Sequence, residues 1–191
     1  SMLMVKNATA TGGWRVWHQS LTSTQTLQLN TTAAVNTSAG QFNSSATFNS
    51  TVFSVGGEGD TNQSSQTIIS YSFVEKPFFS KMSSYTGNGN VNGPFVYTGF
   101  KPAFLMIKDV TGSGEWLMWD NKRSPINEMT VAIAANDSLV EDTTKEMDFL
   151  SNGFKIRTTD TNYNASGNTN IYLAFAEEPF VASNFNVATA R

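Results

Sequence analysis

Two tryptophan pairs, one acidic and amide-rich loop, and a scatter of carboxylates are the residues whose types and spacing could do chemistry. Trp14-Arg15-Val16-Trp17 and Trp116-Leu117-Met118-Trp119 lie in segments of strand character. The two rings of each pair therefore point to opposite faces. An indole outside the core offers a flat apolar surface on which a sugar ring can stack. Arg15, His18, Asp120 and Arg123 stand close enough in sequence to supply polar groups beside it. Tryptophan is mostly buried, so Trp14 and Trp116 are assigned to the core. Arg15, Trp17, Trp119, Asp120 and Arg123 form the candidate ligand-binding set.

Asp160, Asn162 and Asn164 present side-chain oxygens at alternating positions, as the start of a calcium loop does. The bidentate glutamate that closes such a loop is missing, and Ile171 occupies about that place. A turn held by Asx side chains is the structural alternative. Asp60-Thr61-Asn62 is the roughly corresponding stretch in the first half. No other cofactor is indicated.

Signs of catalysis are sparse. His18 is the single histidine, without a Gly-x-Ser-x-Gly partner, and Asp120 stands at its counterpart in the second half. Glycoside hydrolysis needs two carboxyl groups facing each other across a cleft. Asp109, Glu115, Asp120 and Glu128 are near in sequence, but nothing in their spacing makes two of them converge. Glu75 and Glu177 each precede a Pro-Phe step by two residues and read as strand-end features. The expectation is a protein that binds and does not catalyse.

Composition narrows the setting. Asn, Ser and Thr supply about a third of the residues, the charged types only 14%, and the formal net charge is −3. Without a basic stripe, nucleic acid is not an expected partner. The absence of cysteine excludes disulfide frameworks, thiolate metal sites and cysteine nucleophiles. No apolar run approaches membrane-spanning length and none reads as an export signal.

The elements that must position these residues are strands. Leu27-Gln28-Leu29, Phe53-Ser54-Val55, Tyr71-Ser72-Phe73 and Phe154-Lys155-Ile156-Arg157 alternate apolar with polar, and Gly- and Asn-rich turns separate them. That pattern predicts an all-β antiparallel sandwich. The one helical candidate, Ser138 to Phe149, is expected to give a turn or two. Asn30 to Thr51, poor in large apolar residues, reads as a loop that Phe42 and Phe48 could pin.

The chain is also written twice. Met4-Val5-Lys6-Asn7 returns as Met106-Ile107-Lys108-Asp109, and Phe73-Val74-Glu75-Lys76-Pro77-Phe78 as Phe175-Ala176-Glu177-Glu178-Pro179-Phe180. One common spacing marks a duplicated unit. The units run from 2 to 79 and from 80 to 181, packed closely with pseudo-twofold symmetry, and 182 to 191 form a tail. The first unit lacks the opening segment that the second has at Ser84 to Phe100, which leaves an edge exposed. Asn184 to Ala188 are expected to fold back as the strand that fills the gap.

Ser84-Tyr85-Thr86-Gly87-Asn88-Gly89, Gly99-Phe100-Lys101-Pro102-Ala103, Asp148-Phe149-Leu150-Ser151-Asn152-Gly153-Phe154, Asn164-Ala165-Ser166-Gly167 and Ile171-Tyr172-Leu173-Ala174-Phe175-Ala176-Glu177 resemble a repeat of bacteriophage tail and tail-fibre proteins. The resemblance is strong over Ser80 to Phe180 and looser over Met2 to Phe78. It implies a sandwich similar to the concanavalin A-like lectins, of the jelly-roll type, and a place in a virion tail outside the cell. Its implied partners are host-surface polysaccharide or other tail proteins, in a parent protein of trimeric type. Lectin-like folds often hold calcium, which is why that loop is weighed. A structural and adhesive module contacting host glycans is the favoured function. A purely structural spacer and a polysaccharide depolymerase are the alternatives.

Overall fold

Segments of alternating side chains become paired strands, and the fold is all-β. The structure, a computed structural model, describes residues 1–37, 40–42, 49 and 51–178. The first half forms β1 (Met2–Asn7), β2 (Arg15–His18), β3 (Gln25–Gln28), β4 (Asn36–Thr37), the helical turn α1 (Gly59–Asn62) and β5 (Ile68–Phe73). The second half forms β6 (Ser80–Thr86), β7 (Phe95–Tyr97), β8 (Pro102–Asp109), β9 (Leu117–Asp120), β10 (Ile133–Ala134), β11 (Met147–Leu150), β12 (Gly153–Ile156), α2 (Thr161–Asn164) and β13 (Thr169–Ala176).

Among the described residues the strands form three sheets, in the orders β4-β3-β2-β1-β5, β10-β9-β8-β13-β6 and β11-β12-β7. Every pairing among these strands is antiparallel. Two apolar cores join the sheets. Met4 and Val16 of the first sheet share a core with Met82, Met106, Ile171 and Leu173 of the second. The other face of the second sheet gives Leu105, Ile107, Trp119, Tyr172 and Ala174 to a core with Phe149, Phe154 and Ile156 of the third. The second sheet is thus covered on both faces, and β8 and β13 bury residues of either parity instead of alternating.

Residues that differ by 102 in number take the same places in two ladders. Leu3 lies opposite Trp17 and Ser72, as Leu105 lies opposite Trp119 and Ala174. Polar contacts follow. Asn7 Oδ1 accepts from the N–H groups of Thr9 and Ala10, and Asp109 Oδ1 from those of Thr111 and Gly112. Lys6 Nζ donates to the Gly12 carbonyl and Lys108 Nζ to that of Gly114. The edges differ: β13 carries β6 on its far side, whereas β5 ends its sheet among the described residues.

Two expectations are corrected: Phe53-Ser54-Val55, which alternates as a strand would, is not one, with Val52 and Phe53 exposed and not packed into a sheet face, and the helical candidate is not a helix. Ser138 to Phe149 form no helix; the described helical turns are α1 and α2, and Met147–Leu150 is strand. Local polar bonds compete there, with Asp137 Oδ1 accepting from Leu139 N–H and Asp142 Oδ1 from Thr144 N–H, and no apolar stripe could be buried because Leu139 and Val140 face solvent. In Asn30 to Thr51, only Asn36–Thr37 is strand among the described residues, and Phe42 is buried in the first core. Phe48 and Asn184 to Ala188 lie outside the described residues.

Candidate functional site: a cavity over the first sheet

The face of the first sheet turned away from the second carries Leu3, Val5, Arg15, Trp17, Ser70 and Ser72, as the pairings require. The same ladder places in the second sheet hold Leu105, Ile107, Leu117, Trp119, Tyr172 and Ala174, all buried under the third sheet. Serine therefore stands where tyrosine and alanine stand, and arginine where leucine does. Trp119 packs edge-on against Tyr163 with ring centroids 5.1 Å apart. Thr61 is the residue 102 places before Tyr163. A cavity of about 730 Å3 opens on this face beside Leu3, Trp17 and Ser72.

Leu3 and Trp17 line this cavity from the sheet, Val52 and Phe53 from the segment crossing it, and Gln19 and Glu75 from the strand ends. Its volume falls within the span of small-ligand sites, roughly 300–1,000 Å3. Trp17 is held by its Nε1, which donates to the Thr22 carbonyl at 3.3 Å. Glu75 accepts from Gln19 Nε2 at 3.0 Å and pairs with Lys81. Burial pushes the Glu75 carboxyl upward, but hydrogen bonds from Lys81 and Gln19 outweigh it and hold the group below the usual carboxylate range. The site combines aromatic surface, a primary amide and an ionised carboxylate. That set can stack on the C–H face of a sugar and accept from its hydroxyls.

The candidate ligand-binding residues do not assemble as one platform. Trp17 lines the cavity with only 8% of its surface exposed, and Trp119 is fully buried. Trp119 cannot meet a ligand: its face belongs to the core under the third sheet, and its Nε1 donates to the Lys145 carbonyl. Trp116 is core as expected, but Trp14 is only half-buried, beside Tyr71 and apart from the cavity lining. Arg15 shares the face of Trp17 but is committed to Asp60 at 2.7 Å, on α1. Asp120 and Arg123 pair with each other at the turn after β9, where Arg123 also reaches Glu141. They stand apart from the cavity lining.

The loop weighed for calcium is occupied by its own bonds. Asp160 caps α2 by accepting from Asn162 N–H, and its other oxygen pairs with Lys145. Asn164 is buried, accepting from Asn88 N–H and donating to the Asn90 and Thr158 carbonyls. Asn162 Oδ1 accepts from Glu115 N–H at 3.4 Å. A lysine ammonium on the principal carboxylate does the work a cation would do, which makes this an Asx-type turn.

His18 is buried and satisfied. Its Nε2 lies 3.1 Å from the Tyr172 carbonyl, which can only accept, so Nε2 carries the proton; Nδ1 accepts from Ser20 N–H. Burial lowers its pKa to about 4. Glu75 and Glu177 are both bridged by an amide from the end of the neighbouring hairpin, Gln19 and Asn121 respectively, and by Lys81 and Lys101. Reading residues singly misses Gln19, Val52 and Phe53.

The model of a family described as a domain of unknown function (DUF7483) matches residues 1–179, and the chain belongs to that family. No curated protein and no solved structure matches it.

Proposed function

We propose that this member of the DUF7483 family is a non-enzymatic, glycan-binding module of a bacteriophage tail or tail fibre, and that the cavity over the first sheet receives a sugar unit of host-surface polysaccharide. The observation that carries the reading is the cavity itself, with Trp17 and Phe53 on its apolar side and Gln19 and Glu75 on its polar side. The virion setting is supported by the repeat resemblance in the second half, and the neutral Asn/Ser/Thr surface agrees with it. Among the described lining residues Glu75 is the one carboxylate, which favours binding over the two-carboxyl chemistry of a depolymerase.

We further read the two ladders as copies of one unit related by a pseudo-twofold, with the register agreement as support. A purely structural spacer is the second reading, favoured by the burial of Trp116 and Trp119 and by a core shared between the halves. The test is binding of the chain, displayed on a multivalent carrier, to a panel of bacterial surface polysaccharides. Phe53→Ala and Glu75→Gln are expected to abolish saturable binding while leaving the thermal melt in place. No binding across the panel would leave the spacer reading standing.

A further inference from the structure

We propose that the outer face of the third sheet is a second ligand site, and that it takes a carboxylate-bearing sugar unit of an acidic polysaccharide. The pairings of β11, β12 and β7 set this face. Asp148, Lys155 and Phe95 stand in one row across the strands, and Leu150, Gly153 and Tyr97 in the next. Phe149, Phe154 and Val96, the residues between them, point the other way into the core. Phe95 and Tyr97 are therefore two rings on one side of one strand, on the order of 7 Å apart.

Both rings face solvent. Tyr97 is 63% exposed, the most of any aromatic residue among those described, and Phe95 is 47% exposed. Core packing accounts for neither, because Val96 between them takes the inner position. Gly153 keeps the floor beside them low. It puts no side chain opposite Tyr97, and Phe95 leans over it, with one ring carbon 3.1 Å from where a Cβ would stand. Two exposed rings over a low floor are a surface on which sugar rings stack by their C–H faces.

Charge selects the sugar. Lys155, opposite Phe95, reaches toward β7, where its Nζ donates to the Gly93 carbonyl at 2.7 Å. The ammonium thus stands beside Phe95 on the side away from Tyr97, and it forms no ion pair among the described residues. The acids of this face stay on the β11 side. Asp148 is bonded to Arg157, and Glu146 precedes β11 at the same parity. Both start two strands from β7, on the order of 10 Å away. An ammonium with donors to spare beside a stacking ring suits a sugar carboxylate, through a charge-assisted bond stronger than a neutral one. This site rests on the glycan-binding reading of the chain but not on the cavity, whose lining shares no residue with it.

Backbone amide NMR spectra of the full chain read the two places separately. Oligogalacturonate is expected to shift the amides of Phe95 to Tyr97 and Gly153 to Arg157 saturably, and with lower affinity as salt rises. Its carboxyl-reduced, neutral counterpart should shift them little. Tyr97→Ala and Lys155→Gln should each weaken binding by about tenfold, as loss of one such contact does, with the thermal melt unchanged. Lys155→Arg should keep most of the affinity, and Phe53→Ala, in the cavity, should leave these shifts as they are. Equal shifts with the neutral oligosaccharide would overturn the assignment to an acidic sugar. Shifts of the same amides on concentrating the chain alone would give the face to a second copy instead. No shift there with either oligogalacturonate or oligomannuronate would overturn the site, and the cavity would still be judged by Phe53→Ala and Glu75→Gln.

Discussion

His18 shows how one side chain couples the halves. It sits on β2, yet its Nε2–H is given to the carbonyl of Tyr172 in the middle of β13, and it is fully buried there. Burial, only partly offset by that carbonyl, holds the imidazole neutral with a pKa near 4 against the ordinary 6.5. In the unfolded chain the same ring takes up its proton near pH 6.5. Between those values the unfolded state binds more protons, so stability falls as pH drops through 6.5 and the loss is complete near pH 4. The shift corresponds to about 3 kcal/mol. Because His18 is the only histidine, the effect can be isolated. Urea midpoints measured from pH 7 to pH 4 should fall more steeply in the native chain than in His18→Gln, which keeps an N–H donor but cannot titrate. Parallel slopes would show that the ring is charged or exposed in the folded state.

At the scale of elements, the third sheet depends on a close approach at Gly153. A Cβ there would stand 2.2 Å from the Val96 carbonyl oxygen and 3.1 Å from the Phe95 ring, in the pairing of β12 with β7. Gly153→Ala should therefore separate these strands and destabilise the protein by about 1–3 kcal/mol, as overpacking does; an unchanged thermal midpoint would show that the pairing of β12 with β7 does not require a glycine there. The strands themselves were legible in Leu27 to Leu29 and Phe154 to Arg157 because alternation directly reflects a one-sided core. The same rule misassigned the tryptophans. It presumes one wet face, and the second sheet has none: Trp116 enters one core and Trp119 the other. Lys108 was illegible for a related reason. It lies on β8 inside the double-covered sheet, fully buried, with its ammonium given to the Thr32 and Gly114 carbonyls, and burial lowers its pKa to about 8. The cavity was not legible, because its lining joins Leu3 and Trp17 of the sheet to Val52, Phe53, Gln19 and Glu75, which no single motif brings together.

The whole molecule is organised by the core between the first and second sheets. Met4 and Leu27 come from one half, Met82, Met106 and Leu173 from the other, and all are buried in one cluster. Phe175 meets Phe73 across that core while also touching Phe79 and Phe104. Removing either half would expose the other half's share to water, at roughly 25 cal/mol for each Å2 of apolar surface. Neither half can then open while the other keeps its packing, even though the second half has a further core of its own under the third sheet. Denaturation should accordingly be a single transition. Tryptophan fluorescence, which samples Trp14 and Trp17 in one half and Trp116 and Trp119 in the other, should trace the same urea curve as far-ultraviolet circular dichroism. The slope of that curve should be the one set by the surface of the full chain. Two separated transitions would mean that the shared core contributes little, and that the halves behave as neighbouring units held together by their linker.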